Sequence, residues 1–463
     1  MKILDKIKNN SNVKYFSNVN KGIKPFLINE LQEEYKQKKI LVILDNNNEI
    51  NYYFNLFKGY FKKNNILKFP SWDNKPYEEV SPSQNILNER FKTFNFGENK
   101  KIENDSLLIL TNIDAFLQMV PNRKSLGEDN FYLNTKDNFS LEQLNKRLND
   151  IGYEKVSVVL EPYEYAVRGG ILDIWPIGAE NPRRIDFFGN KVESIKSFNP
   201  ISQISIKNLN SIFISQSLES PRSKKYNQSF TENYRTLFGP SASDQLFIHK
   251  LKNGIRADGI ENWLPLFYSN KLCNIVDFFN IEIIFSDDDF LQKAKEKIKI
   301  ILNLYTENKK LNELDNENVN CFIHPNTFYL SNKQLENIYK RRSFKEFSYF
   351  SQKNSNTSLD IACKQNLEFH NVSSSNEEVI NRLSSVISNN IGNKKIIITY
   401  SEEEEKKKAL NLVKRLSFKN LRENISSINE AMGDFDALDL IDIPLQEGFE
   451  LPLLKVITLS EIF

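Results

Sequence analysis

The pattern of apolar and polar positions divides the chain into segments with different periodicities. Short apolar runs that end in turn residues, as buried strands do, lie at 38–47, 65–70 and 106–112. Segments with the helical spacing of apolar residues precede the first and the third of these runs, at 25–35 and 81–94. Because strands alternate with helices, we expect residues 1–112 to form a parallel, Rossmann-like α/β sheet.

Residues 113–208 change to a strand-rich pattern. A helix is predicted to begin after Ser140, because Ser140 and Gln143 have the spacing of a capping box. Five strand-like segments follow, and Gly-Gly at 169–170 and Gly-Asn at 189–190 stand where two-residue hairpin turns are needed. The pattern predicts a compact α+β domain built on an antiparallel meander.

The second half of the chain mixes helical and strand signals. Strand–turn–helix patterns lie at 282–305 and 394–416. The segment 342–360 is rich in serine, asparagine and lysine and is predicted to be a linker that starts within 331–344. A small α/β unit is predicted over 345–463.

Two charged runs are interpreted as parts of helices. The aspartates at 287–289 suit a helix N-terminus, with metal binding as the alternative. The run EEEEKKK at 402–408 gives Glu→Lys pairs at the i,i+4 spacing of a solvent-exposed helix face.

Composition favours a globular multidomain protein. The 463 residues are 40% hydrophobic and 26% charged, and roughly three or four domains are expected at this length. The net charge of +2 does not indicate a large non-specific nucleic-acid surface. The scattered cysteines and histidines leave a disulfide framework, a zinc site or a histidine-based site without support. A cytoplasmic location without membrane contact is expected, because neither a signal-peptide core nor an apolar run of about 20 residues is present.

A Rossmann-like sheet raises the question of nucleotide binding. A phosphate loop needs glycines, a lysine for the phosphates and a Ser/Thr hydroxyl for magnesium, but none of the 15 glycines is followed by lysine. The segment NVNKGIKPFLINEL at 18–31 keeps Gly22 and Lys24 but has Pro25 where the hydroxyl is required. It is interpreted as a degenerate, non-functional phosphate loop. No catalytic residue, metal ligand or cofactor is predicted anywhere in the 463 residues.

Three stretches carry a family resemblance. The stretch EPYEYAVRGGILDIWPIGAENPRRIDFFGNKVESIKSFNPISQIS (161–205) resembles the module shared by the excision-repair protein UvrB and the bacterial transcription-repair coupling factors (Mfd). FPSWDNKPYEEVSPSQNILNERFKTF (69–94) and GIRADGIENWLPLFY (254–268) are similar to the coupling factors. The loss of the phosphate loop also points to them, because UvrB keeps its own.

The resemblance implies an architecture. Residues 1–112 and 209–330 would form one split UvrB-like α/β body of degenerate P-loop type, with 113–208 as an inserted UvrA-interacting domain and 345–463 as a small third domain. In the family, domains that bind RNA polymerase and that translocate DNA with ATP and magnesium follow. They do not fit within this length, so the chain is expected to be the N-terminal part of a full coupling factor or a shortened natural form, with the translocase absent from this sequence.

The resemblance also implies a partner site for UvrA on the sheet of the inserted domain. Mapped by motif, its residues are Arg168 in YAVRGG, and Arg184 and Phe188 in PRRIDFF. Strand alternation separately places Arg184 and Phe188 on one face of RRIDFF and Ile185 and Phe187 on the other. A face of arginine and phenylalanine is typical of interface hot spots.

Structural interpretations of the same residues stay open. Arg168 could pair with Asp173 or Glu193 and hold the meander in register, and a slip of one residue would bury Phe188. Arg183 is an auxiliary candidate only.

Three functions are compatible with these features. The leading hypothesis is a non-catalytic segment that recruits UvrA to a stalled RNA polymerase in nucleotide excision repair. One alternative is a UvrB-like ATPase that opens damaged DNA, which the missing Gly-Lys pair disfavours. The other is an internal clamp that docks on a C-terminal translocase half and holds it inactive.

Overall fold

The computed structural model describes residues 13–35, 37–96, 107–239, 246–252, 257–269, 271–314, 321–350, 357–369, 376–416, 418, 420–423 and 425–462. Residues 351–356 of the predicted linker and 254–256 of the GIRADG motif lie outside this part. The helices, short 3-10 turns included, span Lys24–Glu34, Asn47–Gly59, Gln84–Phe96, Ile113–Leu117, Arg123–Gly127, Leu141–Asp150, Lys224–Phe238, Leu246–Lys252, Ile260–Trp263, Leu264–Phe267, Ile275–Phe279, Phe290–Leu314, Pro325–Thr327, Asn332–Arg341, Leu367–Phe369, Asn376–Asn390, Glu403–Arg415, Ile428–Ala431 and Leu459–Ile462. Over the described ranges, no helix combines the length and apolar character that a membrane crossing requires.

The first sheet is parallel throughout and takes its strands from distant parts of the chain. The apolar runs predicted in residues 1–112 are three neighbouring strands at one side of it, which confirms the predicted parallel α/β arrangement there. In spatial order the strands are Ser358–Asp360, Tyr15–Ser17, Ser343–Phe347, Ile283–Asp287, Lys39–Leu44, Leu107–Asn112 and Ile66–Phe69.

The central strands are buried because both faces of the sheet are covered. Along KILVIL, Leu41 and Ile43 enter one hydrophobic core, whereas Ile40, Val42 and Leu44 enter another. The sequence of this strand is therefore continuously apolar and does not alternate between apolar and polar residues.

The linker predicted over 342–360 is wrong. Ser343–Phe347 and Ser358–Asp360 are strands of the first sheet, and a helix precedes them at Asn332–Arg341. Composition was misleading because the polar residues Lys345 and Glu346 are buried there with hydrogen-bond partners. The boundary predicted at 330 therefore separates strands that belong to one sheet.

The second sheet is the predicted meander. Both hairpins form at the predicted turns, with Arg168 opposite Ile171 and Phe188 opposite Lys191, and the first turn residue has a positive φ in each. In spatial order its strands are Ser205–Leu209, Lys191–Phe198, Arg183–Phe188, Ile171–Ile174, Glu164–Arg168 and Glu154–Lys155. Neighbouring pairs are antiparallel except for the last.

Short two-stranded ladders also form in the described part of the chain. Ser211–Ile214 pairs with Phe131–Asn134, so the unit extends past the predicted boundary at 208. A second ladder joins Leu272–Cys273 to Val120–Pro121.

The helix at Leu141–Asp150 begins where the sequence predicts, with Ser140 as its N-cap. The side-chain hydrogen bond of a capping box is absent from this N-cap, so that detail of the prediction is wrong. Packing fixes the helix instead, because Leu144 and Leu148 are fully buried in the core under the meander.

The third sheet confirms the strand–turn–helix pattern at 394–416. Its strands, in spatial order, are Leu421–Arg422, Leu438–Asp442, Lys395–Tyr400, Leu454–Thr458 and Phe449–Leu451, parallel except for the last pair. Ile396 and Ile398 enter a core of their own, whereas Ile397 joins a core shared with the first sheet. The two sheets therefore pack through common apolar residues.

Candidate partner-binding surface

The outer face of the meander carries the residues predicted to bind a partner. Along RRIDFF, Ile185 is fully buried, Phe187 packs against the main core, and Phe188 on the opposite face is 80% exposed. Arg184 shares the face of Phe188, as alternation requires. The slip of one residue that would bury Phe188 does not occur.

A bulge lies beside this strand but not in it. Asp186 is opposite Ser194 and Phe187 is opposite Val192, which leaves Glu193 as the extra residue on the neighbouring strand. Bulges increase the local twist of a sheet and re-aim nearby side chains. Because the extra residue belongs to the neighbour, the alternation along RRIDFF is preserved.

Arg184 is the centre of a hydrogen-bonded cluster. Its Nε and Nη2 donate to the two carboxylate oxygens of Asp173 at 2.7 and 2.8 Å, and its Nη2 donates to Oε1 of Gln203 at 3.1 Å. The guanidinium carbon lies 4.6 Å from the ring centre of Phe198. The hydrogen bond to Asp173 is the main cause that raises the pKa of Arg184 above its ordinary value. Arg184 therefore joins two strands and the loop that contains Gln203.

Arg168 lies exposed at the end of its hairpin strand. Its Nη2 donates to the backbone carbonyl of Ser157, which uses one of the five N–H donors of a guanidinium. Asp173, one of the two acids considered as its partner, pairs with Arg184 instead. The hypothesis that Arg168 pairs with Asp173 is therefore wrong.

Three neighbouring strands place Arg168, Ile171 and Asp186 in one row across the outer face. Adjacent strands lie about 4.8 Å apart, so the row spans roughly 10 Å between the Cα atoms of its ends. Ile171 is 39% exposed. Burial alone would raise the pKa of Asp186, but hydrogen bonds from Ser194 and Lys196 outweigh it and lower the pKa. The row thus offers a cation, an apolar side chain and a charged carboxylate.

Sequence reasoning missed the residues that position Arg184. A signal was present, because Asp173 interrupts the apolar run ILDIW, and a carboxylate in a buried strand needs a partner. Arg183, the auxiliary candidate, turns towards the preceding loop, where its Nη1 donates to the carbonyl of Asn181 at 2.6 Å. No local pattern in the sequence points to Gln203.

The degenerate phosphate loop lies at the carboxyl edge of the first sheet. Lys24 is 8% exposed, and its Nζ lies 2.5 Å from Oδ1 of Asp287. A Cβ placed on Gly22 would lie 2.3 Å from the carbonyl oxygen of Glu447. The ammonium group of Lys24 is thus paired with a carboxylate, and Gly22 faces another backbone segment.

A cavity of about 240 Å³ opens beside this loop. Each of the lysines that line it contacts a carboxylate: Lys21 lies 3.4 Å from Glu49, Lys293 lies 2.9 Å from Asp289, and Lys24 pairs as described. Carboxylates outnumber lysines along its wall, so the cavity is poorly suited to phosphate groups. Among the described residues, no cluster of His, Cys, Asp and Glu is suited to a metal ion. The aspartates at 287–289 lead into a helix, as the sequence predicts.

Two of the stretches that carry the family resemblance contact each other. The backbone N–H of Tyr77 donates to Oδ1 of Asn262 at 3.1 Å, and Ser81 donates to Glu261 at 2.6 Å. Gly259, at φ +72°, packs against the backbone of the same loop. Residues 69–94 and 257–268 therefore pack against each other.

Comparison with known proteins identifies the module that contains the meander. Residues 131–217 match the protein family described as the UvrB interaction domain. The matched range includes every strand of the meander and the ladder partner Ser211–Ile214. The face with Phe188 therefore belongs to this module.

Curated proteins named transcription-repair-coupling factor are similar to much of the chain. The protein from Haemophilus influenzae is 27% identical over 293 residues, which are 61% of this chain and 25% of the relative. The Escherichia coli protein is 25% identical over 59% of this chain and 23% of its own length. The Rickettsia conorii protein is 25% identical over 94% of this chain and 38% of its own length. The resemblance to the coupling factors and their UvrB-related module is confirmed, and the chain spans about a quarter to two fifths of these relatives.

Proposed function

We propose that this chain is a non-catalytic adaptor segment of a transcription-repair coupling factor, which recruits UvrA to a stalled RNA polymerase during nucleotide excision repair. The observation that carries the proposal is the exposed Phe188 on the outer face of a module that matches the UvrB interaction domain. Contacts with RNA polymerase and DNA, and the use of ATP and magnesium, would belong to other parts of a longer protein.

Each residue of the site has a distinct role in this proposal. Phe188 would be the apolar anchor, because burying a phenylalanine side chain contributes about 2–3 kcal/mol. Arg168 would hold a carboxylate of the partner with N–H donors that its contact to Ser157 leaves available. Arg184 would shape the surface through its contacts with Asp173 and add only its exposed edge to the interface.

Titration calorimetry of the 463-residue chain with UvrA tests the proposal. We expect Phe188→Ala to weaken binding by roughly 30-fold and Arg168→Ala by about tenfold, as hot-spot residues do. Tyr132→Ala is the matched control, because Tyr132 is 64% exposed on a separate ladder of the same module and should keep wild-type affinity. Wild-type affinity in the double variant of Phe188 and Arg168 would refute the assigned surface.

The geometry of the phosphate loop favours the adaptor over the ATPase alternative. Lys24 is paired with Asp287, and Gly22 lies against the backbone of Glu447. We therefore expect the purified chain to show no DNA-stimulated ATP turnover in a coupled assay. Measurable turnover that is lost in Lys24→Ala would support the ATPase instead.

A further inference from the structure

The degenerate phosphate loop contacts residues 446–448, here called the docking loop, which immediately precede the edge strand Phe449–Leu451 of the third sheet. Nδ2 of Asn20 donates to the carbonyl of Gly448 at 3.0 Å, while its Oδ1 accepts from the backbone N–H of Ile23 at 3.1 Å. On the other side, the N–H of Gln446 donates to the hydroxyl of Tyr52 at 3.4 Å. One amide side chain thus shapes the phosphate loop and holds the docking loop.

The two backbones approach too closely for side chains between them. A Cβ on Gly22 would meet the carbonyl oxygen of Glu447 at 2.3 Å and that of Gly448 at 3.0 Å. Distances below 3 Å to backbone atoms require the chain to move, so position 22 needs glycine where the docking loop packs against it. The contact is therefore specific to these two segments.

Apolar packing surrounds the contact. The rings of Phe26 and Phe449 lie 5.6 Å apart, and the N–H of Ile428 donates to the hydroxyl of Tyr60 at 3.2 Å. The buried thiol of Cys363 lies 3.5 Å from Oδ1 of Asn20. Because all these groups belong to one hydrophobic core or its border, separation of the third sheet from the first would expose that core.

We propose that the degenerate phosphate loop acts as a receptor for the docking loop, which fixes the third sheet to the first and takes the space of a nucleotide. The partially negative carbonyl oxygen of Glu447 lies against Gly22, where a phosphate loop would hold an anion. The contact between the phosphate loop and the docking loop therefore does not respond to ATP. This inference is independent of UvrA binding, because the meander contributes no residue to the contacts described.

Hydrogen exchange of the full chain, followed by mass spectrometry, tests the contact between the phosphate loop and the docking loop. Asn20→Asp keeps the acceptor for Ile23 but places a second oxygen against the carbonyl of Gly448. We expect exchange at 446–451 to become about tenfold faster or more, because a buried hydrogen bond is replaced by repulsion. Gly22→Ala should act in the same direction. Gly59→Ala is the matched control, since a Cβ there meets nothing within 4 Å.

A second readout is alkylation of the thiol at Cys363, which is buried and has its pKa raised to about 12, chiefly by burial. Alkylation should accelerate in Asn20→Asp and stay slow in Gly59→Ala, while exchange at 183–198 in the meander stays unchanged. If Gly22→Ala fails to fold, Asn20→Asp decides alone. Wild-type exchange and alkylation in Asn20→Asp would overturn the proposal. Faster exchange at 446–451 in the wild type on addition of Mg-ATP would also overturn it.

Discussion

Replacing Arg184 by alanine should loosen the meander sheet, apart from any effect on a partner. The change leaves the carboxylate of Asp173, which is 6% exposed, without the two hydrogen bonds of 2.7 and 2.8 Å. Exposed ion pairs contribute about 0–1 kcal/mol, whereas breaking a buried pair costs about 3–5 kcal/mol. The pair of Arg184 and Asp173 is partly exposed, so we expect a loss of about 2–3 kcal/mol in local stability.

Hydrogen exchange at 171–174 and 183–188 measures this loss. A change of 2–3 kcal/mol corresponds to roughly 30- to 150-fold faster exchange through local opening. Adding Asp173→Asn to Arg184→Ala should restore part of the protection, because a neutral amide is less costly to bury than an unpaired carboxylate. Lys196→Ala is the control: its pair with Asp186 is more exposed, and we expect less than about fivefold change.

Exchange and UvrA binding together separate a structural role of Arg184 from a contact role. If Arg184→Ala exchanges at the wild-type rate and yet loses UvrA binding, the ion pair contributes nothing to the sheet. Arg184 would then be a contact residue and not a positioning one. If exchange accelerates and Asp173→Asn brings no recovery, the unpaired carboxylate is not the cause of the loss.

Other predictions concern stability. In a thermal unfolding assay, Glu219→Ala should destabilise the chain by about 3–5 kcal/mol, because it leaves the fully buried Arg90 without its carboxylate. The control is Lys408→Ala, which removes an exposed ion pair and should change stability by less than about 0.5 kcal/mol. Burial raises the pKa of Glu30 from 4.5 to about 7. The folded state therefore binds more protons than the unfolded state between these values, and stability falls as the pH rises through them. Glu30→Gln should remove this slope and stabilise Lys24–Glu34 by up to about 3 kcal/mol above pH 7; an unchanged slope would contradict the assignment.

Local patterns predicted the elements whose environment is set by their immediate neighbours. The run KILVIL is apolar because both faces of its strand are buried, and the hairpin turns contain glycine where φ is positive. Alternation along RRIDFF placed Phe188 correctly, because one face of the meander packs on a helix and the other does not. These features follow from period and turn chemistry alone.

Contacts between distant segments could not be predicted in this way. Lys345 and Glu346 look like linker residues until their partners from other elements are known. Asp173 signals that a partner is needed but does not say which arginine provides it. Asn20 and Gly448 are 428 positions apart, and no local pattern connects them.

The first sheet has a consequence for synthesis on the ribosome. Its strand Tyr15–Ser17 pairs with Ser343–Phe347 and Ser358–Asp360, and Asn18 bonds to Asp360 across 342 positions of sequence. At about 5–20 residues per second, translation would leave that first strand without these neighbours for roughly 20–70 s. The meander pairs mostly strands that follow each other, so it can form while the sheet that carries it is still incomplete. During that interval, the edge of the growing sheet keeps a row of backbone N–H and C=O groups without strand partners.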